Sequence, residues 1–299
     1  MKRRRSILSA IVLSILLLGF VACAKSSALS ERDATENDRA YVKTHAVYNG
    51  SFKSELTEDQ LVIYSAFEQH YIMERSLEAF EIDVSKMCFL KNEPYIDTIF
   101  ENVLKAFKHD FPEAYWIETD YLHVEFEYNG SYISKAIIQP VENYNGALSE
   151  WETVQNGIES SVNEILALRK TESRYDTVKA IHDYICDNAS FTYEDEDFDG
   201  DQVGQAHCIA PFFGGGSIGR QFVCEGYAMT FKLLCDRFNI PAATIDSRDH
   251  AYNYVQMDDG CYYAVDCTWD DSQTEGWKKR ISFTMRCIIN IFLSVKKRF

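Results

Sequence analysis

The chain predicts an α+β fold in which a helix bearing a cysteine packs on an antiparallel sheet bearing a histidine and an aspartate. Three observations carry that expectation. In V-C-E-G-Y-A-M-T-F-K-L-L-C-D-R-F (223–238), Tyr227, Phe231, Leu234 and Phe238 recur at helical spacing, with Cys224 at the N-terminal end. The stretches D-H-A-Y-N-Y-V (249–255) and Y-A-V-D-C-T-W-D-D (263–271) alternate or run apolar on either side of D-D-G (258–260), a hairpin turn signal. Further upstream, Tyr121–Tyr128 and Tyr132–Ile138 alternate about Asn129-Gly130, a second hairpin signal.

The remaining elements follow in order. Residues 60–82 and 95–109 read as helices, and in the second Ile96, Ile99, Phe100, Val103, Leu104 and Phe107 form one apolar stripe. Pro112 ends that pattern, because proline cannot donate to a continuing helix. The 147–170 stretch is helical again and leads into a helix over 172–188. The organisation expected is an α+β extension over 41–165, a core over 166–276 and an atypical basic, apolar tail over 277–299.

Chemistry concentrates in the core. A thiol at a helix start feels the partial positive charge of unpaired N–H groups, which favours the reactive thiolate. The D-D-G hairpin places His250 on one strand and Asp266 on its partner, close enough to pair. Nucleophile, base and orienter in series is the logic of acyl transfer. The Cys224 backbone N–H is a ready oxyanion donor, and Gln205 and Gln221 are the glutamines near enough in sequence to supply a second.

V-C-E-G-Y-A, H-A-Y-N and V-D-C-T-W-D-D resemble the three signature blocks of the transglutaminase-like (papain-like) cysteine superfamily, in its exported bacterial lipoprotein branch. K-A-I-H-D-Y-I-C-D-N-A-S-F-T-Y (179–193) is similar to the helix and strand that open that domain, so the resemblance covers about residues 172–275. Tyr252 stands where tryptophan is common and keeps an aromatic ring there. The resemblance implies a transglutaminase-like core with a Cys224–His250–Asp266 site and a protein or peptide substrate, cell-wall peptide included. The thioester would pass to water, as in a peptidase or amidase, or to a lysine amine, as in a crosslinking enzyme. A catalytically inactive binding module on the same fold is the alternative from another class.

The chain ends point to export. Lys2, Arg3, Arg4 and Arg5 form a basic region ahead of an apolar run from Ile7 to Val21. That run is shorter than the roughly 18 to 20 residues of a spanning helix. F-V-A-C (20–23) resembles a bacterial lipoprotein box, so residues 1–22 are expected to be a signal peptide and Cys23 a lipid-attachment site. Plain secretion with cleavage near Ala22 is the alternative. Ser- and charge-rich 23–40 suits a flexible tether from the membrane anchor.

The chain carries −16 overall, but the basic N-terminal region contributes +4 and Trp277–Phe299 contributes +7, leaving −27 on residues 6–276. Such acidity argues against nucleic acid as a partner. The tail reads either as a membrane-surface segment or as a C-terminus altered by frame change or truncation, and its lack of a clear polar face favours the second.

No cofactor or metal is expected. Gly214, Gly216 and Gly219 spell G-x-G-x-x-G, but no helix follows at once and position 239 is Asn239 rather than an acid, so the glycines read as a loop that approaches the nucleophile. Asp195, Asp197, Asp199 and Gly200 open like a calcium loop whose twelfth position is Ala206 instead of glutamate. His207-Cys208 lacks a zinc-spaced partner, and His182 reads as a structural helix residue satisfied by a neighbour. Beyond Cys23 and Cys224, the seven other cysteines read as buried free thiols, with Cys261 and Cys267 fitting a cross-strand pair only loosely.

Overall fold

A computed structural model describes residues 3–7 and 51–271, apart from 93, 120–121, 193–197, 199 and 248–249. The lipoprotein box with Cys23, the tether, the three aspartates of the calcium-like loop (Asp195, Asp197 and Asp199) and the basic tail lie outside the described residues.

Helix α1 (Glu58–Phe67) starts at Thr57, whose side chain accepts from the Gln60 backbone N–H while Gln60 accepts from the Thr57 backbone, a capping box that satisfies two orphan donors. It runs into a π-helical turn, Glu68–Met73. The expected helix over 60–82 therefore stops early, and Phe80–Asp83 is instead a strand, β2. Phe80 and Ile82 sit two apart and pack inward, which is the strand period rather than the helical one.

Helix α2 (Ile96–Asp110) buries Ile96, Phe100, Val103, Leu104 and Phe107, with Ile99 partly covered, as the apolar stripe requires. The Asp110 carboxylate at its end accepts from Ser51 Oγ, the Phe52 and Lys53 N–H groups and the Tyr64 hydroxyl, so it ties the chain before α1 to α2.

Strands β3 (Leu122–Asn129) and β4 (Tyr132–Gln139) form the expected hairpin, with Gly130 at φ +61° in the turn. Leu122, Val124 and Phe126 face the core in strict alternation. On β4 the buried set is Ile133, then Ala136 and Ile138, because the register slips at Glu127/Tyr128. One extra residue on a strand moves its inward face by one position. The backbone of Arg3–Ile7 (β1) pairs antiparallel with β3, and the sheet order is β1-β3-β4-β2.

Helices α3 (Trp151–Leu168) and α4 (Arg174–Asn188) follow, the second capped by Ser173 accepting from the Asp176 N–H. Two short parallel strands, β5 (Ser190–Phe191) and β6 (Gln221–Phe222), bracket a small helix α5 (Asp201–Ala206) and a glycine-rich loop. Then come α6 (Cys224–Arg237) and a three-stranded antiparallel sheet, β7 (Ala242–Asp246), β8 (Ala251–Gln256) and β9 (Tyr262–Val265), ending in a single helical turn, α7 (Cys267–Asp270).

Helix α6 lies against β7, β8, α4 and α7. Its Tyr227, Phe231 and Leu234 are fully buried with Ala242, Val255 and Val265 of the sheet. The Phe231, Leu234, Val255 and Val265 side chains each contribute about 1.5–3 kcal/mol by leaving water, so this contact fixes where the helix start sits. The architecture is α+β, with the cysteine-bearing helix packed on the antiparallel sheet. Among the described residues, no helix is long and apolar enough to cross a membrane.

Candidate active site

Cys224 is the first residue of α6, after an extended Val223 (φ −85°, ψ 175°) that offers no side-chain cap to the helix start. The Val223 N–H is taken by the Ala206 carbonyl at 3.2 Å, which pins the approach to the helix. Gly226 is required within the first turn: a Cβ there would lie 2.5 Å from Phe222 Cδ1 and 2.7 Å from the Ala206 carbonyl oxygen. The first turn of α6 can therefore press onto β6 and the end of α5 only without a side chain at this position.

His250 immediately precedes β8 and Asp266 immediately follows β9, so the two sit just beyond the paired ends of the strands expected to carry them. Asn253 pairs with Val265, and this register brings the flanking residues together. His250 Nε2 is 2.7 Å from Asp266 Oδ2. Asp266 is also the N-cap of α7, its Oδ1 accepting from the Trp269 N–H at 3.1 Å, so both carboxylate oxygens are held. The His250 carbonyl accepts from the Ser247 N–H and hydroxyl, and its ring stacks on Trp269 at 5.2 Å. Asn253 donates from Nδ2 to the Ala228 and Ala243 carbonyls, which locks β8 to α6.

The Cys224 side chain lies close enough to the His250 ring to act on it alongside Asp266. Burial works against a charged imidazole, but the hydrogen bonds to Asp266 and Cys224 and their negative charge outweigh it, raising the His250 pKa to about 9. The three residues singled out in sequence are thus brought into one chain of contacts. The two glutamines are not. Gln205 is buried and its Oε1 accepts from the Ser217 N–H at 2.7 Å and from the Ser217 hydroxyl at 3.3 Å. Gln221 lies exposed on β6.

The glycine-rich loop, expected to approach the nucleophile, is instead tied to Gln205 and to Glu150, whose carboxylate accepts from the Gly216 N–H at 2.7 Å. Gly216, at φ +63°, leaves no room for a Cβ beside Gln205 Oε1.

Several residues around the site carried no obvious signal in sequence. Glu225, next to Cys224, is held by Lys108 Nζ and His207 Nδ1, each at 2.7 Å. Burial would raise its pKa, but these two partners win and keep the carboxyl well below the usual range. His207, read as a core or loop residue, is therefore an ion-pair partner beside the helix start. Tyr227 donates its hydroxyl to buried Asp271, joining the first block to the third. Phe107, Lys108, Tyr115, Asn143, His207 and Met229 help line a cavity of about 500 Å³, and none of Cys224, His250 and Asp266 lines it.

Among the described residues, Cys186, Cys208, Cys235, Cys261 and Cys267 are buried free thiols, as expected, whereas Cys88 is exposed. Cys267 faces Cys186 rather than Cys261: the Cys186 thiol donates to the Cys267 carbonyl at 3.4 Å.

No family model and no curated protein matches the sequence. Among solved structures, the chain is similar to the periplasmic domain of TgpA from Pseudomonas aeruginosa bound to ethylmercury, at 13% identity and a TM-score of 0.29, covering 52% of this chain and 62% of that one. It is also similar to a structure described as a TGase, at 14% identity and a TM-score of 0.32, covering 78% of this chain and 58% of that one. The chain thus matches about three-fifths of the length of each neighbour.

Proposed function

We propose that the protein is a cysteine-dependent acyl-transfer enzyme of the transglutaminase-like type, acting on peptide or glutamine-type amide bonds. The observation that carries this reading is the continuous path from Cys224 at a helix start, through His250, to Asp266 at 2.7 Å. Asp266 occupies Nε2, which leaves Nδ1 as the nitrogen available to the thiol. The sulfur attacks the amide carbonyl with its proton already held on His250, and His250 delivers that proton to the leaving amine. Asp266 holds the ring in the productive tautomer and stabilises its cation. The N–H groups at the start of α6, to which Val223 offers no side-chain cap, would be the donors to the developing oxyanion. The thioester then passes to water, giving an acid, or to a lysine amine, giving a crosslink. Hydrolysis at the cell surface is the favoured outcome, with the chain anchored through a lipid on Cys23.

The test compares the intact chain with Cys224→Ala on glutamine peptides and cell-wall peptides, alongside iodoacetamide labelling near neutral pH. The reading expects turnover that depends on Cys224, and alkylation of Cys224 well ahead of exposed Cys88. Absence of Cys224-dependent turnover, with Cys224 alkylating no faster than Cys88, would replace the enzyme by a binding module on the same fold.

A further inference from the structure

Directly after Asp266 in the chain, α7 meets α4 through a cluster of soft and imidazole donors. A ring nitrogen of His182 and the sulfurs of Cys186 and Cys267 all lie within 4.8 Å of one another, and the three residues are 2%, 1% and 3% exposed. His182 and Cys186 are four apart on α4 and so share one face of that helix. Cys267 and Asp270 are three apart on α7 and share a face there in the same way. The Asp270 carboxylate reaches to 3.1 Å from His182 Nε2. The partners are 81 and 88 residues away in the chain, so no local spacing announces them.

We propose that His182, Cys186 and Cys267 bind a zinc-class divalent cation, with Asp270 turning in as the fourth ligand. The distances suit it. Zinc held tetrahedrally at about 2.3 Å from sulfur and about 2.0–2.1 Å from nitrogen sets those two atoms about 3.6 Å apart. Cys186 Sγ lies 3.6 Å from His182 Nε2. Thiolate with imidazole is the donor set that selects zinc over harder cations. The second shell is also in place. His182 Nδ1 is 3.0 Å from Asp183 Oδ1, the carboxylate–histidine arrangement that fixes a ligating ring with its other nitrogen toward the metal. Asp183 is in turn paired with Lys179.

Binding would displace the thiol protons to solvent and leave two thiolates, one carboxylate and a neutral imidazole around the cation. The consequence for the neighbouring site is mechanical. Cys267 is the first residue of α7 and follows Asp266 directly, so the cation would clasp the backbone of the orienting aspartate to α4. The inference stands on these donors alone and holds whether or not Cys224 is catalytic.

The test uses the full chain purified without a metal-binding tag, assayed for bound zinc and titrated with Co²⁺ under reducing conditions. The expected result is one ion per chain and a thiolate-to-cobalt charge-transfer band. The band should persist in Cys224→Ala and in Cys88→Ser, and be lost in Cys186→Ser and Cys267→Ser. Asp183→Asn, which spares every ligand, should weaken zinc binding about 10–100-fold without unfolding the chain. No zinc and no cobalt band in the intact chain would overturn the proposal. So would a band that survives Cys186→Ser, or a Cys186–Cys267 disulfide mapped in the native protein.

Discussion

Tyr227 donates its hydroxyl to Asp271 inside the core, joining the turn after the candidate nucleophile to the segment after the candidate orienter. The two residues are 44 apart in sequence, and both are essentially excluded from water. The hydrogen bond therefore acts as a strut that sets how far α6 stands from α7. It also explains why a tyrosine and a second aspartate accompany Cys224 and Asp266 without touching His250.

Removing that strut has a calculable cost. Tyr227→Phe keeps the ring and its packing but takes one donor from a buried carboxylate, which costs about 1–3 kcal/mol. Denaturant unfolding of Tyr227→Phe should show a lower midpoint with an unchanged slope. A midpoint equal to that of the parent protein would mean the strut carries no net stability.

Gly226→Ala sets two effects against each other. An alanine inside a helix gains about 1 kcal/mol over glycine from propensity. Its Cβ, however, would sit 2.7 Å from a backbone oxygen, which cannot swing away as a side-chain tip could. Overpacking of this kind costs about 1–3 kcal/mol, so net destabilisation is expected, together with slower alkylation of Cys224 as the helix start shifts. Unchanged stability and unchanged labelling would show that the first turn of α6 has room to move.

The His250 pKa of about 9 sets a pH window. Because the folded value is raised above the ordinary 6.5, the pair with Asp266 contributes its full stability below about 6.5 and loses it as pH rises through about 9. Proton donation to the leaving amine is lost over the same rise, so kcat/KM should fall with an apparent pKa near 9. Asp266→Asn should move that fall toward 6.5 and lower kcat by about 10⁴-fold, as expected when an orienting aspartate is lost. A pH profile identical in Asp266→Asn would remove Asp266 from the proposed mechanism.

Processing at Cys23 is tested by mass spectrometry of the chain expressed in a bacterial host with a lipoprotein pathway. A diacylated N-terminus at Cys23 and partition with membranes are expected, and Cys23→Ser should release the protein or stall its processing. An unmodified N-terminus at Ala24 or beyond would establish plain secretion instead.

What could be read from sequence was local. The stripe Ile96–Phe107 and the run Tyr227–Phe238 gave α2 and α6, because apolar residues three and four apart must share one helical face. Asn129-Gly130 and Asp258–Gly260 gave both hairpins, because their turns favour positive φ. The second hairpin then implied that His250 and Asp266 meet. Residues 60–82 instead run from a helix through a π turn to a strand, and composition alone does not mark where one period replaces the other. Other relationships had no local trace at all. Lys108 with Glu225, Gln205 with Ser217, Tyr227 with Asp271 and His182 with Cys267 join residues whose separation along the chain carries no periodic signal. They became neighbours only when the helices closed on the sheet and excluded water, where buried polar groups must find one another or bear the cost of desolvation.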